Sequence, residues 1–129
     1  MKAVDTNILV RLLVGDDPAQ RSIAVALFSS GAIWISKTVL LETARVLGSA
    51  YAQDDSRIHD GFVALLGLAN VAVEDSSSVT QALSLVAQGM AFADALHLTS
   101  CPPGARFYSF DKAFVRRAKR AGFAAVSEA

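Results

Sequence analysis

Apolar residues along this chain follow two rhythms. Short unbroken apolar runs alternate with longer stretches in which Leu, Ile, Val, Ala and Phe recur every three or four residues. The first rhythm predicts buried strands and the second amphipathic helices. Strands are expected over residues 2–5, 32–35, 70–73, 106–110 and 123–126, and helices over 7–14, 17–30, 38–52, 56–69, 75–89, 92–99 and 112–121. The punctuation agrees. Asp17-Pro18 is an N-cap followed by proline at the first helical position, Gly15 and Gly122 follow periodic stretches, and Cys101-Pro102-Pro103-Gly104 reads as a loop. Short apolar strands separated by helices predict an α/β fold. The expectation is a single domain over residues 1–129, an α/β/α sandwich whose central, mostly parallel five-stranded sheet is covered on both faces.

In such sheets ligands bind beyond the carboxyl ends of the strands. Asp5 and Asp111 fall at predicted strand ends, and Glu42 and Asp94 lie in the early turns of predicted helices. Each has an ordinary alternative. Asp5 and Asp111 are good helix N-caps, although Thr6 or Asn7 could cap in place of Asp5. Glu42 shares a helical stripe with Arg45 and Ser49, so an ion pair with Arg45 would account for it. Asp94 is the only Asp, Glu, Lys or Arg between Asp75 and Arg106. Its helical neighbours are Met90, Ala91, His97 and Leu98, and a carboxylate there needs compensation. Either a distant arginine or a metal ion would supply it.

Together the four carboxylates say more than they do singly. Two like charges ~4 Å apart repel by about 4 kcal/mol at an effective dielectric near 20, so a cluster of four makes sense only around a cation. Oxygen ligands with no cysteine and at most one histidine select Mg²⁺ or Mn²⁺. Such an ion suits phosphoryl chemistry, since it makes water nucleophilic and stabilises charge on a leaving oxygen.

Composition narrows the partners. Twelve basic residues balance twelve acidic ones, which argues against binding nucleic acid by bulk charge. The balance hides an asymmetry: residues 106–129 hold six basic and two acidic residues, and residues 1–105 hold six and ten. Lys112, Arg116 and Lys119 are spaced i, i+4, i+7 directly after Asp111, with Arg120 beside them. That stripe is either a solvated helix face suited to the helix dipole or a contact surface for phosphates. The single Cys101 excludes an internal disulfide and a cysteine zinc site. His59, His97 and Cys101 read as structural, and Trp34 and the seven phenylalanines as core. There is no glycine-rich phosphate loop, no bilayer-length apolar run and no signal-peptide pattern, because Asp5 and Arg11 interrupt the first apolar stretch. The expected location is cytoplasmic.

Four segments carry a resemblance to a known family. Ala3-Val4-Asp5-Thr6-Asn7, Val39-Leu40-Leu41-Glu42-Thr43, Phe92-Ala93-Asp94-Ala95-Leu96-His97 and Phe110-Asp111 resemble, in order and spacing, the acidic motifs of PIN-domain nucleases. Residues 15–20 (Gly-Asp-Asp-Pro-Ala-Gln) and the region of Tyr51 look like the bacterial VapC-type toxin branch. The resemblance implies a Mg²⁺- or Mn²⁺-dependent endoribonuclease, an RNA substrate, a cognate VapB-type antitoxin and a homodimer. Carried over residue by residue, Asp5, Glu42, Asp94 and Asp111 are both the catalytic and the metal-holding set. Thr6, Asn7 and Ser109 line the site, and Lys112, Arg116 and Lys119 are the candidate RNA contacts. Ser109 stands where many members have Thr, and Ala44-Arg45 where many have a bulky aromatic. Two other readings compete. One is a haloacid-dehalogenase-type phosphatase, which requires a second Asp where this chain has Asn7. The other is a non-catalytic RNA- or protein-binding module of the same fold.

Overall fold

A parallel strand cannot be followed directly by its neighbour, because the chain must first travel back along the sheet, usually through a helix. This protein makes that return between every pair of successive strands. The computed structural model describes residues 1–129. β1 (Lys2–Ala3) is followed by α1 (Thr6–Val14) and α2 (Pro18–Ser29), and β2 (Ile33–Ile35) by α3 (Lys37–Ala50) and α4 (Asp55–Leu66). β3 (Val71–Val73) leads into α5 (Ser76–Ala87) and α6 (Phe92–Thr99). β4 (Phe107–Ser109), α7 (Lys112–Arg120) and β5 (Val126–Glu128) complete the chain.

All strand pairs are parallel, but they do not form one five-stranded sheet. β1, β2 and β3 form a three-stranded sheet in that order, and β4 and β5 pair separately. The register is Lys2↔Ile33 and Ile33↔Val71 in the first sheet and Phe107↔Val126 in the second. The expected continuous five-stranded ladder is not formed, and β1 is only two residues long. Its carboxyl end is already committed, because the Asp5 carboxylate accepts a hydrogen bond from the Ile8 N–H at 3.2 Å and starts α1. The last strand also begins three residues later than its apolar pattern predicts. Gly122 (φ +99°) closes α7 with two bonds, its own N–H to the Lys119 carbonyl and that of Phe123 to the Ala118 carbonyl. This helix-ending motif takes up Phe123, so pairing resumes at Val126.

The same motif sets the approach to α6. The Gly89 N–H donates to the Val86 carbonyl and the Met90 N–H to that of Leu85. Met90 is thereby buried, and the chain re-enters a helix two residues later. α3 starts one residue before the expected 38, capped by Ser36, whose hydroxyl accepts from the Val39 N–H at 3.2 Å. α4 stops at Leu66, short of the expected Ala69, with Gly67 as its cap.

The core is one continuous cluster that includes Leu9, Ile33, Ile35, Leu40, Leu47, Phe62, Val79, Leu85 and Val126. Phe62 of α4 meets Phe92 of α6 edge to face, with ring centroids 5.0 Å apart and planes at 79°. That contact anchors the first turn of α6, where Asp94 sits. Phe110 departs from the core assignment of the phenylalanines, being 88% exposed. No helix is long and apolar enough to cross a membrane.

Phe62→Ala should destabilise the protein by about 3–5 kcal/mol, as expected for deleting a fully buried aromatic ring. Urea denaturation with an unchanged slope checks this.

Candidate metal and nuclease site

The four carboxylates reach their positions by different routes. Asp5 and Asp111 are each the N-cap immediately after a strand. Oδ1 of Asp111 accepts from the Phe114 N–H at 3.0 Å, as Oδ1 of Asp5 does from Ile8. The alternative in which Thr6 or Asn7 takes over the cap does not hold. In both aspartates the second oxygen makes no hydrogen bond within the chain, so capping leaves each with a donor oxygen. Ser109 contributes to the same turn, accepting from the Asp111 N–H at 3.0 Å.

Glu42 and Asp94 do no such structural work. The protein has three ion pairs, Arg11–Asp16, Lys37–Asp75 and His59–Asp60, and neither residue takes part. The Arg45 partner for Glu42 and the distant arginine for Asp94 are therefore both missing. Asp94 is half-buried, less desolvated than its apolar neighbours imply. It lies in the first turn of α6, a helix without a side-chain cap, where the positive end of the helix dipole favours a carboxylate.

Asp94 and Asp111 line one concavity of about 220 Å³, together with His97, Tyr108 and Ser109. Glu42 lines a neighbouring groove of about 580 Å³ between α3, the start of α4 and the start of α6, with Thr38, Arg45 and Phe92. His97 borders both. The structural reading of that histidine is thus too narrow, and its i+3 spacing from Asp94 was the signal that could have found it. Asp5, Thr6 and Asn7 line neither concavity; Thr6 is buried and the other two are exposed.

No three Asp, Glu, His or Cys side chains stand close enough to hold a metal ion. The donor chemistry nonetheless fits a hard divalent cation. Two carboxylates share a concavity with no Lys or Arg side chain in it, and the serine hydroxyl and imidazole beside them are further donors.

Other acids nearby are already satisfied, which separates them from this set. At the end of β3, Glu74 accepts from the Lys37 N–H at 2.9 Å. The Lys37 ammonium donates to Asp75 at 2.9 Å and to Ser100 at 3.1 Å, tying the starts of α3 and α5 to the end of α6. The Lys37 hydrogen bond, with Ser78 adding to it, holds the Asp75 carboxyl below the usual range. Asp75 itself has φ +51° and makes no side-chain cap for α5. On the far side of α1, the Tyr51 hydroxyl donates to Asp16 at 2.9 Å, while Arg11 donates to Asp16 at 3.0 Å and to Gln20 at 2.7 Å. The Tyr51 bond first, then Arg11, depresses the Asp16 pKa.

A family model described as PIN domain matches residues 2–120. The chain belongs to the PIN-domain family. No curated protein and no solved structure matches it. PIN domains are a nuclease fold, generally of metal-dependent RNases, and use Mg²⁺ or Mn²⁺. The acidic motifs therefore sit in a nuclease framework.

Two outcomes follow for this PIN domain. A depressed carboxylate pKa stabilises the fold above the unfolded value, about 3.9 for Asp, and that contribution disappears as pH falls through the folded value. Tyr51→Phe should therefore melt below wild type near pH 7, with the gap narrowing below about pH 4, as thermal scans at the two pH values would show. Asp94→Asn keeps the shape of the side chain and removes an unpartnered charge. It should gain less than wild type from added Mn²⁺, because an ion that binds only the folded state raises stability by mass action. A lower metal-free melting point with the full metal-induced rise would instead make Asp94 an ion-pair partner.

Proposed function

We propose that this PIN domain is a Mg²⁺- or Mn²⁺-dependent endoribonuclease and the toxin of a VapBC-type toxin–antitoxin pair. The observation that carries the nuclease reading is the concavity shared by Asp94 and Asp111, two carboxylates with no cationic partner in a chain of the PIN family. Asp5, Glu42, Asp94 and Asp111 would hold the ion. When bound, it would supply Lewis-acid chemistry that makes water nucleophilic and stabilises charge on the phosphate.

The chain's own residues prepare that site. Backbone N–H groups at the starts of α1 and α7 hold one oxygen each of Asp5 and Asp111, which fixes the direction of the other. The hydroxyl of Ser109 orders the turn that presents Asp111. His97 stands between the groove of Glu42 and the concavity of Asp94, placed to orient a substrate or accept a proton. The cations of α7 lie just beyond. Lys112, Arg116 and Lys119 are exposed and take part in no ion pair, while Phe114, Val115 and Ala118 bury the opposite side of the helix. Cations unpaired on the protein are available to phosphates.

The toxin reading rests on the sequence resemblance. It is supported by the contact between its two segments, since Asp16 and Gln20 of the 15–20 stretch join Tyr51 through Arg11. A cognate antitoxin and a homodimer come with that reading. A small neighbouring reading frame for a DNA-binding protein that copurifies with this chain is the test of the pairing. A phosphatase reading has lost its support, since it needs an Asp at position 7 and a different family.

Asp94→Asn should cut metal-dependent RNA cleavage at least about a hundredfold, because electrostatic stabilisation at a metal site is typically worth several kcal/mol. Wild-type-like cleavage by that variant, with contaminating nuclease excluded, would sink the mechanism. Replacing Lys112, Arg116 and Lys119 together by Gln should weaken RNA binding and flatten its log–log salt dependence by roughly one unit or less per lost contact. An unchanged slope would make the stripe a solvated face.

A further inference from the structure

Phe110 is the most exposed large apolar side chain in the protein at 88%, ahead even of the terminal Met1 at 87%. Scattered exposed apolar residues are ordinary on protein surfaces, but Phe110 is not isolated. Tyr108, two residues earlier, is 62% exposed and borders the concavity of Asp94 and Asp111. Asp111 is the very next residue, and its backbone N–H is held by Ser109. The bend that carries the phenyl ring is therefore fixed on both sides, by the strand before it and by the N-cap of α7 after it. An exposed ring on a bend whose backbone is fixed, next in sequence to Asp111 and just before a helix of cations without ion-pair partners, lacks an intramolecular use. Phe107 and Phe114, on either side of it in sequence, pack against each other with centroids 5.5 Å apart and leave it out.

Single-stranded nucleic acid is recognised by this combination. Cations follow the phosphates, and exposed aromatic faces stack the bases. We propose that Phe110, flanked by Tyr108, is a stacking platform for one unpaired RNA base next to the bond that is cut. The proposal rests on the nuclease reading above and adds to it a residue that would hold a base. RNA must be single-stranded or locally opened at this point, since a base in a duplex is already stacked on both faces. The platform selects unpaired RNA with little regard to base identity, because every base offers a π-face.

The test uses the whole chain as wild type, Phe110→Ala and Phe110→Tyr. A short RNA carrying the fluorescent base 2-aminopurine serves as probe, single-stranded and in a duplex, in EDTA and again with Ca²⁺, which also takes oxygen ligands. Stacking quenches the probe. Phe110→Ala should bind the single strand about five- to a hundredfold more weakly, the range one base–aromatic stack commands. It should lose the quench and keep the wild-type melting point. Phe110→Tyr should retain both binding and quench, and duplex binding should be the same in all three proteins. Equal single-strand binding and quench in wild type and Phe110→Ala would overturn the proposal. So would an equal loss for single strand and duplex. A change of oligomeric state in Phe110→Ala on size exclusion would overturn it too, by making the ring a protein contact. If wild type binds neither RNA in either buffer, the nuclease reading itself falls, which is a distinct result.

Discussion

Every strand in this protein is parallel to its neighbour, and that constraint places the candidate site. Parallel pairing forces the chain out of the sheet at each carboxyl end and into a helix, so the turns that leave the strands collect on one edge. Each such turn must also satisfy the unpaired N–H groups of a new helix. Asp5 and Asp111 meet that requirement, and in doing so are held at the edge with one oxygen left over. Glu74 and Asp75 at the third strand face the same geometry, but Lys37 engages both. The difference between an acid that builds the fold and one that can serve a metal is thus a difference in local partners.

The two helical carboxylates show the cost of this arrangement. Glu42 and Asp94 contribute no ion pair or hydrogen bond to the fold, and Asp94 lies among residues that are otherwise apolar. Stability is supplied elsewhere: by the Phe62–Phe92 contact beneath α6, by the Lys37 clip across three elements, and by the Arg11–Asp16–Tyr51 network on the far side of α1.

Much of the element order was legible because it depends on local chemistry. Asp17-Pro18 starts α2 and Asp111 starts α7 for reasons contained in a few residues. The four acids could be picked out because Asp5 and Asp111 follow strands and Glu42 and Asp94 lie in the early turns of helices. What was not legible depends on contacts distant in sequence or on fine backbone geometry. The split into a three-stranded and a two-stranded sheet is a matter of such contacts. The late start of β5 follows from a helix-ending motif that captures Phe123, a residue whose apolar character reads equally well as strand. The partner of Asp75 lies thirty-eight positions away. Phe110 has the composition of a core residue and the position of a surface one, and only the packing of Phe107 against Phe114 shows that it is left outside.

Asp5, Glu42, Asp94 and Asp111 are proposed to hold Mg²⁺ or Mn²⁺. The most direct measurement is a titration of the protein with Mn²⁺, followed through the relaxation of water protons, which reports bound ion without any catalytic step. Wild type should bind Mn²⁺ saturably. Asp94→Asn and Asp111→Asn should each weaken that binding at least about tenfold, the effect of roughly 1.4 kcal/mol, while Asp60→Asn on the surface of α4 should leave it unchanged. No saturable binding to wild type, or equal binding by Asp94→Asn, would contradict the account.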